Sequence, residues 1–413
     1  MEELIMKKLL VFVPDSTGRI DPLNPLINLL KAHPKLQDDY WLPLELDLKW
    51  WGNKTLSEYS LEINGRIDNY YINHEQTISE IILCGYSLGA MLVRRAYLDA
   101  MGYGTPAGQT KRWAAAVNRI VLIGAICRGF NYAQLPPHQW VVMKLTKPLG
   151  LANTLRSAFR GESFASNVRV DWITFWSQNR PSHLKVVNVL GTDDDLVKRE
   201  DGIDIDMDPE TASVDIPGNH DTVIIPSQNN SNLLTDAFVG NPSPMTPQIP
   251  KRYKPARKVY MLLHGMRSSK QFVMQLAEAL KHQEPNALIL TPDYGYISIA
   301  SFLSRSYRLS TVARFVDDYS QCLAVNPLAS FYFAGHSNGT CIVGEALRTI
   351  PRLKFARLYL GGSALPTTYD WRQVHQRGQV ELIRSDRGSK DWAVGIFARA
   401  LEKLSKRCDR SRV

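Results

Sequence analysis

The sequence predicts an α/β fold that occurs twice in tandem, each copy a mostly parallel β-sheet flanked by helices. The chain has 413 residues, which is more than one hydrophobic core usually holds. The pattern G-x-S-x-G occurs at Gly85–Gly89 and again at Gly335–Gly339, each time between a short apolar run and a helical pattern. A proline-rich stretch, residues 239–257, separates the two and cannot sustain a helix or a central strand. We therefore expect one domain over 1–238, a linker, and a second, shorter domain over 258–413.

Composition places the chain among ordinary globular proteins, with 44% hydrophobic and 22% charged residues. These values exclude the collagen-like, disordered and disulfide-scaffold classes. No apolar run approaches the ~20 residues that span a bilayer, and the apolar stretch Leu9–Val13 is too short for a signal peptide. The five cysteines are scattered, odd in number and without a CxxC pair, which indicates a reducing compartment and neither a disulfide framework nor a zinc site. We expect a cytoplasmic protein that needs no metal and no other cofactor.

Charge is distributed unevenly along the chain. Residues 1–240 carry 23 basic and 28 acidic side chains, a net charge of −5, whereas residues 241–413 carry 26 and 12, a net charge of +14. A basic second half attracts anionic partners, which include phospholipid headgroups at a membrane surface and the acidic first half itself. The same charge is also typical of a merely soluble surface. No basic helix with interleaved aromatic residues is present in the sequence, so nucleic acid is not an expected partner.

Four pairs of similar segments support a duplicated fold. Corresponding positions are 250 residues apart in the first two pairs, 238 apart in the third and about 197 apart in the fourth. The pairs are the first strands KLLVFVPD and KVYMLLHG, the segments LCGYSLGAML and FAGHSNGTCI, the segments 119–125 and 357–363, and the segments 189–197 and 384–394. Because the offset falls by about 40 residues between the third and fourth pairs, the first domain carries an insertion of that size within 126–185.

Each serine of the pattern, Ser87 and Ser337, lies in a sharp turn between a predicted strand and a predicted helix. Small residues are needed on both sides of such a turn because its backbone passes close to its neighbours. The turn exposes the hydroxyl at the N-terminus of the helix, where backbone N–H groups stabilise an oxyanion. The pattern therefore indicates two nucleophile turns, while a purely structural glycine-rich turn would have the same spacing.

The first half supplies both partners that a nucleophilic serine needs, a general base and a carboxylate that orients the base. The strand Val187–Leu190 runs into a turn that holds Asp193, Asp194 and Asp195. An acid at the end of a strand is well placed to hold an imidazole. His220 follows on a turn between a glycine and an apolar run, where it can lean over the edge of the sheet.

With these motifs both halves resemble the α/β-hydrolase superfamily, with lipase and carboxylesterase character. The segments GYSLG and GHSNG match the family's nucleophile turn, and LLHG in the second half matches its oxyanion strand. The resemblance implies that Ser87 is the nucleophile and that His220 is the base. It also implies that the acid of the family's turn G-x-x-D-x-x-V is Asp194 rather than either neighbouring aspartate.

The oxyanion site is the first point at which the chain departs from the family pattern. The resemblance implies donors from the N–H of Leu88 and from the N–H of Asp15 or Ser16. The family often has His-Gly where this chain has Pro14 and Asp15. An Asp15 carboxylate that faced inward would oppose the developing negative charge. The Asp15 N–H can still donate if the carboxylate turns away, or if it caps the following turn with Ser16 and Thr17.

The second half has the nucleophile turn but no recognisable base. Its best candidate acid is Asp391, with Asp386 as the alternative. The spacing from acid to histidine in the first half would place a base beyond Val413, and the four histidines of the second half do not fit. The second site is therefore catalytically dead, borrows a base, or belongs to a chain shorter than its relatives. Its vestigial residues are Ser337, Asp391, His264, Gly265 and Asn338.

The insertion in the first half is predicted to form a helical cap. It is rich in aromatic side chains, and residues 128–185 contain eight basic against two acidic residues. Such a cap fits a ligand with an acyl chain and an anionic portion, such as a phospholipid or an acyl-thioester. The same aromatic side chains would also serve as the cap's own core. The acidic run 201–210 that follows is predicted to be a solvated loop, with a calcium site as the alternative.

The leading hypothesis is a serine hydrolase that cleaves a carboxylic ester or thioester of a small, lipid-like acyl substrate through an acyl-enzyme on Ser87. The second domain would then be a degenerate copy that serves as a scaffold or binds anions. One alternative is a non-enzymatic pseudo-hydrolase that acts as a binding or scaffold protein. A second alternative is an acyltransferase that uses the same three residues.

Overall fold

The computed structural model of the chain consists of two compact units, Met1–Gln248 and Ile249–Val413. The division between them falls inside the proline-rich stretch predicted to be a linker. The structure describes residues 6–49, 54–103, 110–131, 153–203, 211–243, 253–265, 271–292 and 305–386.

The first unit contains a six-stranded sheet with the strand order β2-β1-β3-β4-β5-β6. Every neighbouring pair of strands in it is parallel. The strands are β1 Lys7–Val13, β2 Tyr40–Pro43, β3 Ile78–Tyr86, β4 Val117–Ile123, β5 Lys185–Gly191 and β6 Thr211–Ile216. Parallel strands need crossover connections, whose helices cover both faces of the sheet, and this explains the nearly continuous apolar runs of the central strands.

Helices lie on both faces of this sheet. They are α1 Asn24–Lys31, α2 Leu56–His74, α3 Leu88–Ala100, α4 Arg112–Ala115, α5 Asn153–Arg156, α6 Ser163–Gln178, α7 Arg199–Gly202 and α8 Ser231–Val239. Alternate residues of β1 enter two different apolar clusters, because successive side chains of a strand point to opposite faces. Leu9 and Val11 pack with α2, α3 and α6, whereas Leu10 and Phe12 pack with α1 and α8.

The second unit contains a five-stranded sheet with the order β11-β10-β9-β7-β8, and its neighbouring strands are also parallel. Its strands are β7 Lys258–Leu263, β8 Leu288–Leu290, β9 Ser330–His336, β10 Phe355–Gly361 and β11 Val380–Asp386. Its helices are α9 Gln271–Gln283, α10 Arg305–Val325, α11 Asn338–Thr349 and α12 Trp371–Gln376. The predicted fold class is confirmed in its architecture, since each unit is a parallel sheet flanked by helices. None of the helices in the described ranges has the length and apolar character needed to cross a membrane.

The second sheet repeats the order of the first five strands of the first sheet, and the register of its last two strands matches as well. Leu122 of β4 lies opposite Asn188 of β5, and the corresponding residues Leu360 and Ser385 lie opposite each other in β10 and β11. The glycines that follow β4 and β10, Gly124 and Gly362, have positive φ angles of 50° and 51°. Within the described residues, no strand of the second unit corresponds to β6.

The insertion lies between β4 and β5, and its described part differs from the predicted cap. Helix α6 packs against α3, and the aromatic side chains of this region belong to the same buried cluster as β1 and α3. These side chains are Phe159, Phe164, Trp172, Phe175 and Trp176. They form part of the crossover that joins two parallel strands rather than a separate cap core. The remainder of the predicted cap, residues 132–152, lies outside the described residues.

A buried ion cluster ties α6 to α3. Arg95 donates to Asp171 of α6 at 2.7 Å and to Asp99 of its own helix at 2.7 and 3.0 Å. The exposed fractions of the Arg95 and Asp171 side chains are 8% and 4%. Removing one partner of a buried ion pair is strongly destabilising because the other charge remains buried.

Asp171→Ala is therefore expected to lower the free energy of unfolding of the first unit by about 3 kcal/mol. The matched control is Asp68→Ala, which breaks a more exposed ion pair with Lys111 and should cost less than about 1 kcal/mol. Urea unfolding of the full chain measures both values. Equal, small losses would show that α6 behaves as a loosely attached cap.

Candidate active site

Ser87 lies at the turn between β3 and α3, in a backbone conformation that side chains rarely adopt. Its φ and ψ angles are 53° and −116°. Such a conformation costs of order 1–3 kcal/mol and persists only where the surrounding structure imposes it. The Ser87 N–H donates to the carbonyl oxygen of Ile123 in β4 at 2.9 Å, which anchors the turn to the neighbouring strand. A Cβ at Gly89 would fall on the carbonyl oxygens of Val13 and Pro14, so this position requires glycine.

His220 lies between the serine and an aspartate. Its Nε2 is 2.9 Å from Ser87 Oγ, and its Nδ1 is 2.9 Å from Asp194 Oδ2. Ser87 is 3% exposed and His220 is 7% exposed. These distances fit the tautomer in which Nδ1–H donates to the carboxylate and Nε2 accepts from the serine hydroxyl.

Asp194 is the one acid of its turn that reaches the imidazole. Its other carboxylate oxygen, Oδ1, accepts the backbone N–H groups of Leu196 at 3.0 Å and Val197 at 2.8 Å. Both oxygens are therefore engaged, and the carboxylate has a fixed orientation. Asp193 is exposed and accepts the hydroxyl of the adjacent Thr192 at 2.9 Å, while Asp195 is also exposed.

The turn that carries His220 is built by its neighbour Asn219. The Asn219 side-chain oxygen accepts the N–H of Asp221 at 3.1 Å and the N–H of Thr222 at 3.0 Å. The Asn219 N–H donates to Thr222 Oγ1 at 2.9 Å. Sequence reasoning did not assign a role to these two residues, although an asparagine that bonds the backbone two residues later is a known turn signal.

The loop after β1 contains the predicted oxyanion residues Asp15 and Ser16, and the first residue of α3 is Leu88. The close approach at Gly89 brings this loop and α3 together. The Asp15 carboxylate accepts the N–H of Thr17 at 2.9 Å and its hydroxyl at 2.6 Å. It therefore caps the following turn, which is the second of the two arrangements expected to leave the Asp15 N–H able to donate.

The second unit has the same serine turn. Ser337, between β9 and α11, has φ 51° and ψ −116°, and its N–H donates to the Gly361 carbonyl at 3.0 Å. Gly265 lies against it, since a Cβ there would be 2.8 Å from Ser337 Cβ. The first residue of α11 is the buried Asn338. Among the described residues, no imidazole hydrogen-bonds the Ser337 hydroxyl.

His264, which was predicted for the second site, and His336, which was not, lie beside the serine turn. His264 Nδ1 donates to the neighbouring Gly265 carbonyl at 2.9 Å. The centroids of the His336 and Phe272 rings are 6.3 Å apart. The candidate acid Asp391 lies outside the described residues, and the alternative, Asp386, ends β11 and accepts from Arg384 Nε at 3.1 Å.

The acidic run after β5 begins in the interior of the first unit. Asp201, which is 2% exposed, forms ion pairs with Arg160 and, at 3.8 Å, with Arg128. Its start is therefore not the solvated loop that the sequence predicts. Residues 204–210 lie outside the described residues. In the described part of the chain, no group of three or more histidine, cysteine or acidic side chains could hold a metal ion.

No family model matches the sequence, and no curated protein of similar sequence was found. The mature lipase BlEst2 of Bacillus licheniformis is a structural neighbour with 16% identity and a TM-score of 0.39 over 56% of this chain and 91% of its own. The RedJ thioesterase of the prodiginine pathway of Streptomyces coelicolor has 16% identity and a TM-score of 0.35 over 57% of this chain and 85% of its own. A lipase-esterase related protein of Clostridium acetobutylicum has 15% identity and a TM-score of 0.35 over 58% of this chain and 96% of its own. At these identities the likeness concerns the fold alone.

Strain at the second serine gives a stability prediction. Glycine adopts the Ser337 backbone conformation without the steric strain that a Cβ causes there. We expect the relief of this strain to exceed the greater loss of backbone entropy that glycine undergoes on folding. Ser337→Gly is therefore expected to stabilise the second unit by about 1 kcal/mol. The control Ser310→Gly, at an exposed site in α10, should destabilise it by about 0.5 kcal/mol through helix propensity. Calorimetry of the full chain measures both, and a loss of stability in Ser337→Gly would contradict the argument.

Proposed function

We propose that the first unit is a serine hydrolase that cleaves a carboxylic ester or thioester of a small, lipid-like acyl substrate. The observation that carries the proposal is the chain of two 2.9 Å hydrogen bonds from Ser87 through His220 to Asp194. A buried serine, imidazole and carboxylate in this order form the constellation that activates a hydroxyl for attack on a carbonyl.

In this mechanism Ser87 Oγ attacks the carbonyl carbon of the substrate while His220 Nε2 takes its proton. The Asp194 carboxylate stabilises the imidazolium, and its two backbone hydrogen bonds keep it aimed at Nδ1. His220 then gives the proton to the leaving oxygen or sulfur, which leaves an acyl-enzyme on Ser87. A water molecule then attacks the acyl carbon while the same imidazole takes its proton. The bond to Ser87 Oγ breaks, the imidazole returns the proton to Oγ, and the carboxylic acid is released.

The oxyanion of each tetrahedral intermediate would be stabilised at the N-terminus of α3. The donors are the N–H of Leu88 and an N–H from Asp15 or Ser16. The exposed Asp15 carboxylate accepts hydrogen bonds from Thr17, an arrangement that leaves the Asp15 N–H able to donate, and this supports the assignment. It also weakens the case for a non-enzymatic pseudo-hydrolase.

The acyl specificity is the finer part of the proposal. Because the aromatic side chains of residues 153–178 belong to the core, they do not support an acyl-binding cap. The support for an acyl substrate comes from the composition of residues 132–152 and from the basic residues of 128–185. The same three residues would also serve an acyltransferase. The two reactions differ in the nucleophile that accepts the acyl group, and product analysis with an added alcohol distinguishes them.

A fluorophosphonate probe followed by peptide mapping tests the proposal without knowledge of the substrate. The expected result is modification of Ser87 and not of Ser337, with labelling lost in Ser87→Ala and retained in Ser337→Ala. Absence of labelling at Ser87 in the folded chain would overturn the proposal. Labelling at Ser337 would show that a base reaches the second turn.

The role of the carboxylate gives a matched pair of variants. Asp194→Asn is expected to lower kcat by about 10³- to 10⁴-fold, because an amide cannot hold the imidazole in the required tautomer and charge state. Asp193→Asn changes the exposed neighbour in the same turn and should leave kcat within about twofold, since surface changes away from the chemistry have small effects. Turnover of nitrophenyl esters of short and long acyl chains measures both. Equal effects in the two variants would contradict the assignment of Asp194.

A further inference from the structure

We propose that Tyr86, the residue immediately before the nucleophile, is a positioning residue that holds the His220 imidazole at the serine. The inference rests on the proposed function of the first unit. Tyr86 acts through His220, so we assign it no direct contact with the substrate.

The first contact is between the two rings. The centroids of the Tyr86 and His220 rings are 5.4 Å apart, with an angle of 28° between their planes. Tyr86 is 2% exposed, so its ring is itself fixed by packing. Stacked aromatic pairs at this separation are favourable and restrict the orientation of each ring.

The second contact is between the Tyr86 hydroxyl and the backbone of His220. The phenol O–H donates to the His220 carbonyl oxygen at 3.0 Å. Burial, with the nearby carboxylates of Asp221 and Asp15, raises the pKa of the phenol, so the hydroxyl remains a donor at every working pH. One side chain therefore holds both the ring and the main chain of the base.

A third observation shows how little space the imidazole has. A Cβ at Gly124 would lie 3.1 Å from His220 Cε1, 3.2 Å from His220 Nδ1 and 3.6 Å from the Tyr86 ring. The φ angle of Gly124 is 50°, a conformation that favours glycine. The imidazole, the phenol ring and this glycine thus share one packed space.

These contacts link two segments that are far apart in the chain. Tyr86 ends β3 and is bonded to Ser87, whereas His220 lies on the turn after β6. That turn is braced by its own Asn219 and by the Asp193 N–H, which donates to the Gly218 carbonyl at 3.0 Å, and the Asp194 carboxylate holds the imidazole. These contacts come from residues outside β3, the strand that leads into the nucleophile, whereas Tyr86 belongs to that strand. Tyr86 is covalently bonded to Ser87, so its contacts with His220 directly fix the distance between the nucleophile and the base. At the corresponding position the second unit has His336, and in the described part of that unit no imidazole hydrogen-bonds the Ser337 hydroxyl.

Two substitutions separate the contacts. Tyr86→Phe removes the hydroxyl and keeps the ring, and Tyr86→Leu removes both. We expect kcat to fall about fivefold to thirtyfold in Tyr86→Phe and further in Tyr86→Leu, with KM within about twofold, because one buried hydrogen bond is lost. The labelling rate of Ser87 by the fluorophosphonate should fall in parallel.

The control is Tyr97→Phe. Tyr97 is a fully buried tyrosine of α3 whose ring packs edge-on against Phe175, in the cluster on the other face of the sheet from Tyr86. Its variant should keep the kcat and labelling rate of the parent. Rates are expressed per titratable Ser87, so a fraction of misfolded protein does not imitate a slower site.

The outcomes distinguish this inference from the proposed function. If the parent chain does not label at Ser87, the proposed function fails. If the parent labels and Tyr86→Phe matches it in kcat and labelling rate, the positioning role fails. A loss that lies wholly in KM or in melting temperature would also overturn it, because a positioning residue acts on the step in which the imidazole takes the proton.

Discussion

The passage of helix α3 over the end of strand β1 is the contact on which the first site depends. At Gly89 the carbonyl oxygens of the last residue of β1 and its successor occupy the space of a Cβ. This approach fixes the first turn of α3 beside the loop after β1, and it leaves Ser87 with a φ of 53° as the link between strand and helix. The second unit repeats the approach at Gly339, where a Cβ would lie 3.0 Å from the Leu263 carbonyl oxygen. Both turns are thus held by backbone packing, independently of any chemistry at the serine.

This steric origin explains which parts of the molecule the sequence could predict. The G-x-S-x-G spacing is a consequence of close backbone contacts, so it identified the two turns and the repeat of the fold. The three adjacent acids were resolved by the family's turn pattern to Asp194, and the structure brings that residue to His220 at 2.9 Å. Local patterns carry such information because each involves residues a few positions apart.

Features that depend on distant segments could not be predicted in the same way. The aromatic composition of the insertion indicates that it is buried, but it does not identify the element against which the insertion packs. In the structure α6 packs in the core beside α3. Asp201 sits in an acidic run yet is buried beside Arg128 and Arg160, because its partners come from the insertion. Tyr86 meets His220 across 134 positions of sequence, and no local pattern signals the contact.

The difference between the two units follows from where the base originates. In the first unit the base comes from the turn after β6, one strand beyond the acid turn that follows β5. In the described part of the second unit the sheet has counterparts of β1 to β5 only, and the position of β6 has none. The serine turn and the strand pairing are retained there because they belong to the first five strands. A histidine substituted into one of these strands would lack the turn that carries His220 in the first unit. Within the described residues, the second site therefore differs from the first by an element of the fold rather than by a single residue.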